Sequence, residues 1–344
     1  MKALFIGGTG IISTASTALA VERGIDLTLL TRGQHQAEIP AGAKTIRADI
    51  NDRAAMQKAL EGATFDVVVD WVAYTPADIE RDIELFRGKT RQFIFISSAS
   101  AYQKPAQHYL ITEQTPLANP HWEYSRSKIA CEERLMRAYR EERFPVTIVR
   151  PSLTYGDTQI PLAVNSWTKP WTIVDRMLKG KKVIVPGDGT SLWVITHNSD
   201  FAKGFAGLMG NKKAVSEIFQ ITSDEVRTWD DYYNIVAEAL GVRAHIVHIP
   251  SDFIVACVPD IEGTLIGDKS VSCVFDNSKL RQFVPHYRAT TSFAEGIRRT
   301  LAWFKAGAAR QVVDAEYDAM CDKLIEVYER GLKEAVREFG TAPS

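Results

Sequence analysis

Lys2-Ala3-Leu4-Phe5-Ile6-Gly7-Gly8-Thr9-Gly10-Ile11-Ile12-Ser13 decides the fold of this chain. A short apolar run meets a glycine cluster, and small and apolar residues then continue at helical spacing to Glu22. The pattern reads as strand, tight turn and helix. Glycine lets the backbone turn sharply and approach a ligand, and the helix N-terminus presents N–H groups and a positive dipole end to a pyrophosphate. Gly7, Gly8, Thr9, Gly10, Ile11 and Ile12 are therefore the expected dinucleotide contacts. Ser13 stands where the usual pattern has its third glycine, and it is small enough to keep helix and sheet close. A glycine turn without a ligand is the alternative, and the flanking strand and helix weigh against it.

Working outward, strand-like runs follow at Asp26 to Leu30, Lys44 to Arg47, Asp66 to Val72, Arg91 to Ile96 and Val146 to Val149, with helical or turn-rich stretches between. Val67-Val68-Val69 and Phe93-Ile94-Phe95-Ile96 are continuously apolar, as strands covered on both faces are. The implied fold class is α/β, a doubly wound parallel sheet of the Rossmann type with a smaller mixed α/β substrate domain. Regular alternation stops after Pro151. Further strand-like pieces lie at Lys182 to Val185 and Ser191 to Thr196, helices near Asp200 to Met209 and Trp229 to Leu240, and a long charged helical pattern from Ala308 to Phe339. The expected division is a dinucleotide-binding domain over 1–156, joined by a returning strand and helix around 183–210, then mainly a substrate domain over 157–304. A C-terminal helical extension is expected over 305–344.

The chain has 344 residues, 45% of them hydrophobic and 24% charged, enough for a packed core in two domains. Its formal net charge of −1 provides no global field for a nucleic acid or an anionic membrane. The four cysteines have no metal-ligand or C-x-x-C spacing, so no metal and no disulfide framework are expected. Without a run long enough for a membrane span or the pattern of a signal peptide, the expected location is the cytoplasm.

At the end of the second strand, where an acid would accept bonds from the ribose hydroxyls of NAD, the chain has Thr31-Arg32. Arg32 has the charge to pair with the 2′-phosphate of NADP, or it stacks on adenine or is solvated. Tyr124 and Lys128, spaced i, i+4, share one face of a predicted helix. A free phenol titrates near about 10, so a tyrosine acting as a base at neutral pH needs positive charge beside it. Lysine and an oxidised nicotinamide supply that charge. Ser97-Ser98-Ala99-Ser100 follows a strand at the edge of the sheet where ligands bind, which places a hydroxyl beside the reacting oxygen.

With these motifs the chain resembles the extended short-chain dehydrogenase/reductases, the NAD-dependent epimerase/dehydratase family. The resemblance also rests on Asp49-Ile50, Arg150-Pro151 with Tyr155-Gly156, Asp276-Asn277-Ser278-Lys279 and Phe293-Ala294-Glu295-Gly296. It implies that Ser98, Tyr124 and Lys128 are catalytic, that Lys128 holds the nicotinamide ribose, and that Asp49 and Ile50 contact adenine. It also implies that Ala73 and Pro151, Ser152 and Leu153 lie near the nicotinamide. The implied cofactor is NAD, with NADP left open by Thr31-Arg32. The implied activity is epimerisation by transient hydride transfer on a sugar, nucleotide sugar or related polyol, with a dehydrogenase or reductase exchanging NADP(H) as the alternative.

Ala99-Ser100 replaces the Asp-Glu pair of the sugar dehydratases, which argues against dehydration, and Trp193 stands where an epimerase places a diphosphate-binding arginine. Trp193 is instead expected to stack on a sugar ring. The other expected substrate contacts are Ser100, Trp167, Trp171, Arg176 and His197. Residues 193–201 and Thr31-Arg32-Gly33 also look like the chloroplast stem-loop-binding branch, whose members bind RNA. The net charge and the Tyr124/Lys128 pair oppose that reading. A small-molecule substrate and a homodimer are the expected partners.

Overall fold

The computed structural model describes residues 1–33 and 39–340. The chain divides into two compact units. The first comprises residues 1–156, 194–225 and 274–292; the second comprises 157–193, 226–273 and the stretch from Phe293 onward.

The first unit is built on seven parallel strands: β1 (Lys2–Ile6), β2 (Asp26–Thr31), β3 (Lys44–Arg47), β4 (Val67–Asp70), β5 (Phe93–Ile96), β6 (Val146–Pro151) and β7 (Ile218–Ile221). Their order is β7-β6-β5-β4-β1-β2-β3. Register explains why the central strands β1, β4 and β5 are continuously apolar over most of their length. Along β1, Ala3 and Phe5 enter one core while Leu4 and Ile6 enter the other; Val67 and Val69 are likewise separated from Val68, and Ile94 and Ile96 from Phe93 and Phe95. One face is covered by α1 (Ser13–Glu22) through Ala20 and by the helix Asn198–Leu208 through Phe201, Phe205 and Leu208. The other is covered by α2 (Arg53–Ala59), α3 (Pro76–Phe86) and α4 (Glu123–Glu142), which contribute Met56, Ile79, Ile83, Cys131, Leu135 and Ala138. Each such fully buried large side chain stabilises the fold by about 1.5–3 kcal/mol. The order in which strands are added reverses between β1 and β4, so the crevice at their carboxyl ends is the place where this topology binds ligands.

In the second unit Lys182–Pro186 pairs in parallel with His245–Ile249, and Leu192–Trp193 pairs antiparallel with Arg227–Thr228. A long helix, Ala315–Glu338, contributes Cys321, Leu324 and Ile325 to a core containing Val164, Ile184, Ile249 and Ile254.

Three expectations are corrected by the structure. The run from Ser191 to Thr196 is two strands, because Ile195–His197 leaves the pairing of Leu192–Trp193 and joins Leu153–Tyr155 in the first unit. The returning segments are 194–225 and 274–292, whereas Lys182–Pro186 belongs to the second unit. The C-terminal helix starts at Ala315, where the Asp314 carboxylate accepts the Tyr317 N–H, and only a short 3-10 turn occupies Ala308–Arg310.

Candidate functional site

The glycine turn closes on itself with little space to spare. Gly7 and Gly8 have φ of 90° and 95°, and a Cβ on them would lie 3.0 Å from Val72 and 3.0 Å from Leu29, respectively. A side chain there would be crowded and would strain a backbone held at positive φ, so the turn keeps glycine and presents backbone. Gly10 has no such constraint. Its N–H donates to Ser13 Oγ at 2.8 Å, so the serine in place of the third glycine ties the turn to the start of α1. Thr17 Oγ1 donates to the Gly8 carbonyl at 2.7 Å, and Asn198 Nδ2 donates to that of Ile11 at 2.8 Å.

Tyr124 and Lys128 lie on α4, whose inner face also carries Glu132 another turn along. The Lys128 ammonium is buried and donates to the carbonyl of Ala73 at 2.7 Å and to that of Ile96, the last residue of β5, at 2.8 Å. Its charge lies 4.6 Å from the centroid of the Tyr74 ring and 5.8 Å from that of Tyr124. Burial pushes the Lys128 pKa down to about 8. The Tyr124 ring packs against Trp122 and Tyr74, with centroids 4.8 and 6.2 Å away.

Ser98 follows β5 by two residues. Its hydroxyl meets Ser100 Oγ at 2.9 Å, and Ser125 Oγ donates to Ser100 Oγ at 2.7 Å, which makes a chain of three hydroxyls ending beside Tyr124 in sequence. Ser100 is buried, and its carbonyl accepts Asn119 Nδ2 at 2.8 Å.

Two buried networks hold this arrangement, and sequence reasoning missed most of both. Glu132 accepts Ser97 Oγ at 2.5 Å, Arg150 Nε at 2.9 Å and Arg150 Nη2 at 2.5 Å, locking α4 to the ends of β5 and β6. Its i+8 spacing from Tyr124 is the signal that would have found it. The second network starts at Asp70, at the end of β4. Asp70 Oδ1 accepts the N–H of Val72 at 2.5 Å and of Ala73 at 2.7 Å, and so orients the carbonyl that holds Lys128. Asp82 is fully buried, and its carboxyl is pushed well above the usual carboxylate range by burial and then by the Asp70 charge. An acid closing the apolar run Val67-Val68-Val69 was the available clue.

Beyond the ends of β2 and β3, Arg32 is exposed, and Asp49 Oδ1 accepts the N–H of Asn51 at 2.9 Å. Ile50 packs against the core. Ala73 and Pro151 are buried, while Ser152 and Leu153 are half-buried where β6 gives way to the strand Leu153–Tyr155.

Most of the expected substrate residues are held by packing or bonding within their own unit. Trp193 is buried and stacked on Trp229 at 5.6 Å, so neither face is left for a sugar. Trp171 is core, packed on Phe304 at 5.5 Å. Arg176 is buried in the second unit, bound to Asp318, Asp322 and the Lys182 carbonyl. His197 is buried and caps the helix Asn198–Leu208, its Nδ1 accepting the Ser199 N–H. Of these tryptophans only Trp167 is exposed. Among the described residues no group of three or more acidic, histidine or cysteine side chains is placed to hold a metal, and no helix is long and apolar enough to cross a membrane.

Residues 3–222 match the model of the NAD dependent epimerase/dehydratase family. The chain is 28% identical over 267 residues to the chloroplast stem-loop binding protein of 41 kDa b of Arabidopsis thaliana, covering 73% of this chain and 67% of that protein. It is 24% identical over 291 residues to the 2′-dehydrokanamycin reductase of Streptomyces kanamyceticus, covering 84% and 80%. Its fold is similar to that of the UDP-glucuronic acid 4-epimerase of Bacillus cereus in complex with NAD, with a TM-score of 0.71, 20% identity, and coverage of 92% and 100%.

Proposed function

The chain belongs to the NAD-dependent epimerase/dehydratase family, and from that premise we propose that it transfers hydride at a hydroxyl-bearing carbon of a sugar, nucleotide sugar or related polyol, with Tyr124 as acid and base. The observation that carries this reading is the buried Lys128 ammonium, fixed by the Ala73 and Ile96 carbonyls on the helix face that bears Tyr124. A charge is not buried so fully for packing alone.

The site fits a dinucleotide, because the turn between β1 and α1 holds Gly7 and Gly8 at positive φ, where L side chains are strained, and so keeps backbone at the helix N-terminus. When bound, the nicotinamide accepts or returns the hydride. Gly7, Gly8, Thr9, Gly10, Ile11 and Ile12 would hold its pyrophosphate, Asp49 and Ile50 its adenine, and Lys128 its ribose, with Ala73, Pro151, Ser152 and Leu153 beside its ring. Tyr124 takes the proton of the substrate hydroxyl during oxidation and returns it during reduction, and the Lys128 charge favours the phenolate. Ser98 serves as a donor. Because Ser125 donates to Ser100, Ser100 has its proton to give to Ser98, and Ser98 keeps its own for the substrate oxygen.

Elimination of water is not proposed, since Ala99 and Ser100 occupy the positions that would need a carboxylic acid and a carboxylate. Within the hydride-transfer class we propose an epimerase that recycles its cofactor. The exchange of NADP(H) by a reductase is the second reading, favoured by Thr31-Arg32 at the end of β2. RNA binding, as the name of the Arabidopsis relative suggests for that protein, is opposed by a net charge of −1. The proposed assembly is a cytoplasmic homodimer, whose mass light scattering would read.

The deciding experiment extracts the nucleotide retained by the purified protein, identifies it by absorbance and mass, and then offers sugars, nucleotide sugars and polyols to wild type and Tyr124→Phe. Conversion by wild type that drops about 100- to 10,000-fold in Tyr124→Phe, with cofactor affinity retained, supports the reading. Undiminished conversion by Tyr124→Phe overturns it.

A further inference from the structure

Resting on the reading of Lys128 as a residue of the hydride-transfer site, we propose that Tyr74 is a positioning residue of that site, whose ring face holds Lys128 in its charged form beside Tyr124. Three aromatic rings surround the ammonium, with centroids 4.6 Å away for Tyr74, 4.8 Å for Phe95 and 5.8 Å for Tyr124. Phe95 is a core residue of β5. Tyr74 is 50% exposed, while the lysine it lies against is 2% exposed. Half of a large ring left in water gains little from burial. What this ring gains is a cation against its electron-rich face.

The backbone that carries this ring is fixed amide by amide. Asp70 Oδ1 accepts the N–H groups of Val72 and Ala73, and Asp78 Oδ2 accepts those of Tyr74 and Thr75 at 3.0 and 2.9 Å. Four consecutive amides are thus held by two carboxylates. Arg81 joins the two, donating to Asp78 Oδ1 at 3.0 Å and to Asp70 Oδ2 at 3.4 Å. The same clamped segment presents both the Ala73 carbonyl that accepts from Lys128 and the Tyr74 ring. An ammonium has three N–H groups, of which the Ala73 and Ile96 carbonyls take two. Burial works against the Lys128 charge; the titratable groups that face it are Cys131 and Glu132 on its own helix, Asp70 at the end of β4 and Asp78 on α3. Tyr74 adds the attraction of a neutral group, because burial and then the Asp70 charge push its own phenol up and keep it protonated. The two tyrosines therefore divide the work: Tyr124 exchanges the proton, and Tyr74 holds the cation.

The test follows the ammonium itself, by NMR of the full chain carrying lysine labelled with carbon-13 at Cε, the Lys128 signal being identified by its loss in Lys128→Met. Tyr74→Leu keeps an apolar side chain and removes the ring; Tyr74→Phe keeps the ring and removes the hydroxyl. Lys128 titrates near about 8 in wild type and within about 0.2 pH units of that in Tyr74→Phe, whereas in Tyr74→Leu it titrates lower by about 0.4–1.5 pH units, the range that a cation–π contact spans. NAD+ affinity, read by calorimetry, then falls by up to about tenfold in Tyr74→Leu at about pH 7.5 and recovers to within about twofold near about pH 6, where this lysine is largely charged in all three proteins. An unchanged or raised midpoint in Tyr74→Leu, or an equal fall in Tyr74→Phe, overturns the proposal and leaves the hydride-transfer reading intact. A loss of NAD+ affinity in Tyr74→Leu that is the same at every pH also overturns it, and assigns the ring to direct contact with the ligand. A midpoint lowered only in Tyr74→Leu, with equal NAD+ affinity in wild type, Tyr74→Leu and Lys128→Met, supports the contact and overturns Lys128 as a residue of the cofactor site.

Discussion

At the scale of single residues, the site depends on how burial sets protonation. Lys128 loses hydration in the core of the first unit, and its pKa falls to about 8. In the unfolded chain a lysine holds its proton to about 10.4. The folded state thus binds fewer protons between those values, and this group's unfavourable contribution to stability fades as pH rises through that window. The effect on the site has the opposite sign, because the charge that supports a Tyr124 phenolate disappears above about pH 8. Cofactor affinity, measured by titration, should therefore hold steady below about pH 8 and fall above it, and Lys128→Met should flatten that dependence. Asp70 and Asp82 make a second contrast. Asp82 is buried beside the Asp70 charge, and both push its carboxyl up, while Arg81 donates to its Oδ1 at 2.9 Å, so Asp82→Asn, a close isostere that loses this ion pair, should cost stability in chemical denaturation and leave cofactor affinity in place. Asp70→Asn, which weakens the acceptor of the Val72 and Ala73 amides, should lower cofactor affinity as well. An equal loss of cofactor affinity from both substitutions would contradict separate roles for the two carboxyls. Only the position of Asp70 at the end of an apolar run was visible in the sequence; Asp82 is one acid among 42.

At the scale of elements, α4 places Tyr124, Lys128 and Glu132 on one inward stripe, and the buried Glu132–Arg150 pair fixes that helix to β6. Glu132→Ala should leave the Arg150 charge without its carboxylate and destabilise the protein by about 3–5 kcal/mol in chemical denaturation. Glu132→Leu combined with Arg150→Met should recover most of that loss, since a well-packed apolar pair avoids the desolvation of two ions. An additive double variant would show that the two groups act separately. Elements whose pattern is local were legible in the sequence: β1, β3 and the helix Trp229–Leu240 have the limits read for them, and the helix is closed at its N-terminus by a capping box of Thr228 and Asp231. The seventh strand was not read. Ile218-Phe219-Gln220-Ile221 has only four residues, and its partner, Val146–Pro151, lies far away in sequence. The split at Val194 was hidden for the same reason, because two different partners, not the run itself, decide where each strand ends.

At the scale of the whole molecule, the cofactor half of the candidate site was readable and the substrate half was not. The glycine turn and the Tyr124/Lys128 pair sit within short stretches, each carrying its own chemistry. Trp171, Trp193 and Arg176 were chosen because large aromatic and cationic side chains line sugar sites, but the same side chains also fill cores and bridge helices. Their partners decide between those uses. For Arg176 the partners are the Lys182 carbonyl, Asp318 and Asp322, with Lys181 donating to the same two carboxylates at 2.7 Å, and all of them belong to the second unit. Arg176→Met should therefore release the Ala315–Glu338 helix from this network and cost about 1–3 kcal/mol, seen as a lower unfolding midpoint by calorimetry. Nucleotide affinity, measured well below that midpoint, should stay within about twofold of wild type, because no dinucleotide contact proposed here involves this network. A ligand-binding arginine would give the reverse pattern. If Arg176→Met kept its unfolding midpoint and lost substrate turnover, Arg176 would return to the substrate site, and its bonds to Asp318 and Asp322 would describe only one of its positions.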